Sequence, residues 1–261
     1  MNTALGLRDL LAASVLTATV ALLAATAAGH LWRRVAGRAD GLIEPALALL
    51  GLVGTASTLT LGLLLVWHVP LGAQAESISL AHPMFVASLL GTIGGHLAVI
   101  AWARSLGAPV ALKRPSPRWM LVGVMVGFSA IAFSALWTET AEAFGRPMAD
   151  QALVATVLGE GPSGGRLAAV LFVVAVAPVL EELVFRGYLQ TALAARLGPA
   201  VGIGTAAVLF GLFHLADPAV VPILTAVGAL LGWVRHRSGS VYPAMAGHLV
   251  NNVAAMALAF S

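Results

Sequence analysis

The feature that most constrains this chain is a series of apolar stretches, each near twenty residues long, separated by short polar connections. A helix needs about 20 consecutive apolar residues to cross the hydrocarbon core of a bilayer. Eight stretches meet or approach that length, over roughly 10–32, 42–68, 83–104, 118–138, 167–187, 200–216, 218–235 and 241–260. Composition agrees, with 59% hydrophobic and only 10% charged residues, where a soluble domain carries about 25% charged. The expected fold class is all-α, a polytopic integral membrane protein with about eight transmembrane helices. Residues 1–140 read as an N-terminal four-helix membrane region, 141–166 as an extracytoplasmic connection and 167–261 as a C-terminal core. The first stretch is too long for a cleaved signal peptide, and no cleavage site precedes Arg33 and Arg34, so a retained helix is expected.

Charge sets the expected orientation. The odd-numbered connections carry Arg33, Arg34 and Arg38, then Arg104, Lys113, Arg114 and Arg118, then Arg186 and Arg196, then Arg235 and Arg237. The even-numbered ones carry Glu76, then Glu139, Glu142, Asp150 and Glu160 beside Arg146 and Arg166, then Asp217. Basic residues favour the cytoplasmic side, which predicts a multi-pass inner (cytoplasmic) membrane protein with both termini extracytoplasmic. In the longest connection, 139–166, Asp150 to Leu158 reads as a short surface helix or a plain linker. Gly91-xxx-Gly95 and Gly123-xxx-Gly127 fall inside spans, where small residues let helices approach closely.

Several function classes drop out. The chain has no cysteine, which excludes disulfides, thiolate catalysis and cysteine-ligated metals. A net charge of +3 serves topology and does not point to nucleic acid, and no glycine-rich phosphate loop or internal repeat is present.

Against this background, Pro178-Val-Leu-Glu181-Glu182-Leu-Val-Phe-Arg186 stands out, closing a run otherwise apolar from Leu167. A charge near the middle of a membrane helix costs about 2.5–3.5 kcal/mol on insertion scales. Residues four apart share a helical face, so Glu182 is offered Arg186 as a counter-ion. Glu181 points about 100° away and is left freer. Two further polar groups fall in later spans: Phe210-Gly-Leu-Phe-His214, and His248-Leu-Val-Asn251-Asn252, where His248 and Asn252 share one face. A glutamate withdrawn from water makes a good general base. A histidine can share the water's proton or pass it to a leaving amine, and imidazole or amide N–H groups can stabilise an oxyanion. Such a set supports amide hydrolysis without serine, cysteine or an obligatory metal.

Glu181-Glu182-xxx-Arg186, Phe210-xxx-His214 and His248-xxx-Asn252, in that order on successive apolar helices, resemble the three motifs of the CPBP family. This family, also called Abi, includes the CAAX prenyl protease 2 endopeptidases and bacteriocin-immunity proteins. The resemblance covers about residues 165–261. It implies an intramembrane endopeptidase acting on membrane-associated proteins, lipidated CAAX-like ones being one class. It also implies that Glu181 activates the attacking water with help from His214, that His248 and Asn252 bind the carbonyl and its oxyanion, and that Glu182 and Arg186 support the site. The expected partners are a protein or peptide substrate and the lipid bilayer. No cofactor is expected, with zinc held by Glu181, His214 and His248 as the alternative. A non-catalytic scaffold or self-immunity factor is the competing function, and a proton-coupled transporter a weaker one.

His96 reads as a packed histidine, and the tryptophans, all near span ends, as an interfacial belt. One tension remains in the spans as drawn. Strict alternation puts Glu181 and His248 about six or seven residues from the inner face and His214 about fourteen, several turns deeper at 1.5 Å per residue. Either the sixth helix starts outside the bilayer, with Leu189 to Leu197 lying along the surface, or the boundaries near 187–200 are wrong.

Overall fold

The computed structural model of the chain describes residues 43–66, 83–145, 164–215 and 217–260, with residues 19, 25, 28 and 157. The predicted first span, the charges of the first connection and the surface helix proposed from Asp150 lie outside the described residues, apart from those isolated positions. Within them all regular structure is helical: α1 Ile43–Val66, α2 Pro83–Ser105, α3 Pro117–Ala143, then a run of helix from Gly164 to Leu197, then α7 Pro199–Leu212, α8 Val221–Ser238 and α9 Tyr242–Ala259. The long run comprises α4 Gly164–Leu171, a π-helical segment Phe172–Val176, α5 Ala177–Glu182, a second π-helical segment Leu183–Leu189, and α6 Gln190–Leu197.

Five helices are long and apolar enough to cross a membrane, over Glu44–Leu64, Phe85–Ser105, Pro117–Ala143, Arg166–Leu197 and Pro218–Ser238. Each overlaps a predicted span. The predicted sixth does not reach that length, because α7 has 14 residues and the backbone turns after Leu212. α9 has 18 residues and covers the predicted eighth, although it is not among the five. A multi-pass membrane protein follows from these helices.

Contacts divide the chain into two compact units, Met1–Ala108 with Gly159–Ala169, and Pro109–Leu158 with Val170–Ser261. In the first, α1 and α2 pack side by side through the predicted glycine seam. A Cβ at Gly91 would collide with Thr60 and the Ala56 carbonyl, and one at Gly95 would meet Leu52 O at 2.7 Å. Leu63, Leu64, Ala87 and Leu90 fill the space beside it. His96 is buried in α2, its Nδ1 2.8 Å from Thr92 O of the same helix.

The second unit contains every residue of the polar constellation. α3 joins α9 through its own glycine pair, since Gly123 abuts the backbone of Pro243 and Gly127 that of Gly247. Ala130, Val220, Ile223, Val227, Leu231 and Ala244 form a core between α3, α8 and α9. The Trp137 indole donates to Ala219 O at 3.1 Å, and Trp119 meets Trp233 edge to face at 6.0 Å.

The boundary near 187 is where the sequence reading needs correction. The helix predicted to end there continues to Leu197, and Gly198, at φ 83°, ends it with a conformation open to glycine. Pro199 then starts α7, which folds back antiparallel, with Gly202 against Ala194 and the Phe185 ring 5.3 Å from that of Phe210. Glu181 lies 17 positions before Gly198 and His214 lies 16 after it, so the hairpin carries both to the same level. The apparent depth difference arises from ending the fifth span ten residues too early.

Candidate functional site

The site is assembled on the two π-helical segments that flank Glu181 and Glu182. π-turns of this kind recur at functional sites because they shift side chains out of the α-helical register. Pro178 gives the first a local cause. A proline inside a helix lacks an N–H and crowds the carbonyl four residues back. Here the Ala177 amide reaches back five residues to Phe172 O, and the widened turn accommodates the ring.

Glu182 is fully buried and bonds in two directions. Its Oε1 accepts from Arg186 Nη1 at 2.8 Å and from His248 Nδ1 at 2.9 Å. The Arg186 head also stacks over the Phe210 ring, 4.2 Å from its centroid. Gly228 makes room for it, because a Cβ there would sit 3.0 Å from Arg186 Nη2. A buried charge needs a partner and hydrogen bonds to be tolerated; Glu182 Oε1 has both, while Glu182 Oε2 and Arg186 Nη2 are buried without a hydrogen-bond partner.

Glu181 makes no such bond. Its Oε2 lies 3.8 Å from His248 Nε2, beyond hydrogen-bond reach, and its side chain keeps 15% of its exposure. The His248 ring therefore stands between two carboxylates, one on each nitrogen, with Nδ1–H donated to Glu182 and Nε2 turned toward Glu181.

His214 sits just past the end of α7, in consecutive tight turns where its N–H bonds Gly211 O and its carbonyl accepts from the amide of Asp217. Helix ends leave carbonyls without partners, and the His214 ring takes one of them, with Nδ1 donating to Phe210 O at 3.0 Å. A carbonyl only accepts, so Nδ1 holds the proton and Nε2 of the neutral ring is left as an acceptor. The Phe210 ring links the two histidines, edge to face with His214 at 5.2 Å and with His248 at 5.8 Å.

Asn252, one turn beyond His248 on α9, donates from Nδ2 to Val173 O at 2.9 Å and accepts from Asn251 at 3.2 Å. Of the sequence-predicted residues, Glu181, Glu182, Arg186 and His248 thus share direct contacts. His214 joins them through Phe210, and Asn252 anchors to the first π segment. Sequence reasoning passed over Phe210, whose place in the motif was visible, and the Glu182–His248 bond, which spans 66 residues and has no local signal. Among the described residues no three His, Cys, Asp or Glu side chains gather as metal ligands.

Residues 163–254 match the family model described as type II CAAX prenyl endopeptidase Rce1-like. No curated protein and no solved structure matches the chain.

Proposed function

We propose that this chain, placed by residues 163–254 in the CPBP/CAAX protease family, hydrolyses peptide bonds of membrane-associated proteins with a water activated by Glu181. The family suggests CAAX intramembrane protease activity, and the residue roles are our reading. The observation that carries it is the pair of carboxylates around one imidazole. Glu182 holds His248 by Nδ1, while Glu181, partly exposed and unbonded, faces Nε2 at 3.8 Å. A water oxygen about 2.8 Å from both atoms fits that separation.

The chemistry then runs in two stages. Glu181 takes a proton as the water oxygen attacks the scissile carbonyl, giving a tetrahedral adduct. The carbonyl oxygen, now negative, accepts from Nε2–H of a His248 that carries protons on both nitrogens, and from the second N–H of Asn252. Collapse expels the amine, which takes the proton back from Glu181 or through His214, whose fixed tautomer presents Nε2. An oxyanion donor of this type is worth about 2.7–4 kcal/mol, and a positioned general base about 10²–10⁴ in rate. Glu182 and Arg186 hold the ring and the helix. The substrate class we infer is a lipid-anchored CAAX-type protein reaching the site from the cytoplasmic side.

The test is cleavage of a prenylated CAAX peptide by the purified chain in proteoliposomes, read by product mass. One cut near the lipidated residue, lost in His214→Ala at unchanged thermal stability, is expected. An intact peptide across prenylated and unprenylated substrates would contradict the reading.

A further inference from the structure

The Pro178 ring leaves a backbone carbonyl without a helical donor, and that carbonyl is Val173 O. Its α-helical partner would be the Ala177 amide, which instead bonds Phe172 O. The next amide along belongs to Pro178 and does not exist. A carbonyl withdrawn from water without a partner is costly, and here the part-buried Val173 O finds its donor on another helix, as Asn252 Nδ2 at 2.9 Å. His248, one turn earlier on α9, grips Glu182 at 2.9 Å. α9 therefore clasps the glutamate helix at two points, one on each side of Pro178.

We infer that Pro178 is a positioning residue, whose missing amide reserves the Val173 carbonyl as a docking point for Asn252 and so sets the register of His248 against Glu181. Asn252 has two N–H donors. Spending one on Val173 O fixes the amide plane and hence the direction of the other. A proline within a buried helix is otherwise a defect. In this helix it supplies an acceptor that a neighbouring element can claim without competing against the helical ladder. The catalytic half of the inference rests on the hydrolase reading above, while the structural half does not.

A double-mutant cycle on the chain in detergent tests it. With Pro178 present, Asn252→Ala strands the Val173 carbonyl and lowers the thermal midpoint by roughly 2–6 °C, the loss expected for a part-buried acceptor left unpaired. In Pro178→Ala the new amide can serve Val173 O, so the same Asn252→Ala change should lose less than half as much. If Asn252→Ala alone does not accumulate, accumulation is the readout, and the second-site Pro178→Ala should restore it. Equal losses in both backgrounds, or no restored accumulation, would overturn the docking. The positioning role has its own signature. Pro178→Ala with Asn252 intact should fold at least as stably as the parent, yet lose about tenfold in kcat with KM unchanged, because the new amide competes for the docking carbonyl. An unchanged kcat would overturn it. The stability cycle needs no substrate, so the docking is tested even in a chain that cleaves nothing.

Discussion

Replacing Arg186 by Met isolates the electrostatic centre of the site. Arg186 is 1% exposed and Glu182 0%, with 2.8 Å between Nη1 and Oε1, so solvent does little to screen either charge. Removing the guanidinium leaves the Glu182 carboxylate in a dry interior with His248 as its remaining partner. Breaking a buried pair from one side costs about 3–5 kcal/mol, and the lost stacking on Phe210 adds to it. For a chain of this size about 1 kcal/mol corresponds to roughly 2–4 °C, so Arg186→Met should melt at least about 6 °C lower. The pair Glu182→Gln with Arg186→Met should recover most of that. It removes both charges, and the glutamine carbonyl can still accept from His248 Nδ1. Thermal unfolding of the purified chain in detergent, followed by circular dichroism, reads the parent and both variants. Were Arg186→Met within about 1 kcal/mol of the parent, or the double variant worse than the single, the buried pair would not be organised as argued.

Other expected outcomes follow from packing and backbone. Gly123→Ala should destabilise by about 1–3 kcal/mol, since its Cβ would press on the Pro243 backbone, whereas Gly51→Ala, with open space around it, should gain about 0.5–1 kcal/mol. Equal midpoints for the two alanines would refute the α3–α9 seam. Ala111 has φ 53°, in the left-handed region that costs non-glycine residues roughly 1 kcal/mol. Ala111→Gly should therefore raise the midpoint by about 2–4 °C, and a fall would contradict it. Phe210→Leu removes the ring that both histidines and Arg186 touch. Peptide cleavage should drop at least tenfold while helix content holds, and undiminished cleavage would count against a shared platform.

Much of the fold and site is readable from local pattern. The i, i+4 spacing of Glu182 and Arg186 becomes a bond, and both glycine pairs become close helix contacts. What hydropathy misses is the protein-facing side of the spans. Gln190, Thr191 and Arg196 look like surface residues, so hydropathy ends the fifth span before them. In the folded chain Gln190 bonds Gly232 O at 2.9 Å, and Thr191 accepts from Arg235. Polar side chains that answer each other inside a bundle are indistinguishable, in one dimension, from those that answer water. The π segments are hidden for a related reason. The first depends on where Pro178 removes a donor and on whether a distant helix, here through Asn252, takes up the stranded acceptor.

Catalytic division of labour between two adjacent glutamates is the central claim, and kcat for Glu181→Gln on a prenylated peptide in proteoliposomes tests it most directly. The substitution keeps size and polarity but removes the proton acceptor, so turnover should fall by about 10²–10⁴ at an unchanged melting temperature. A Glu181→Gln chain that cleaves at the parental rate would contradict the account.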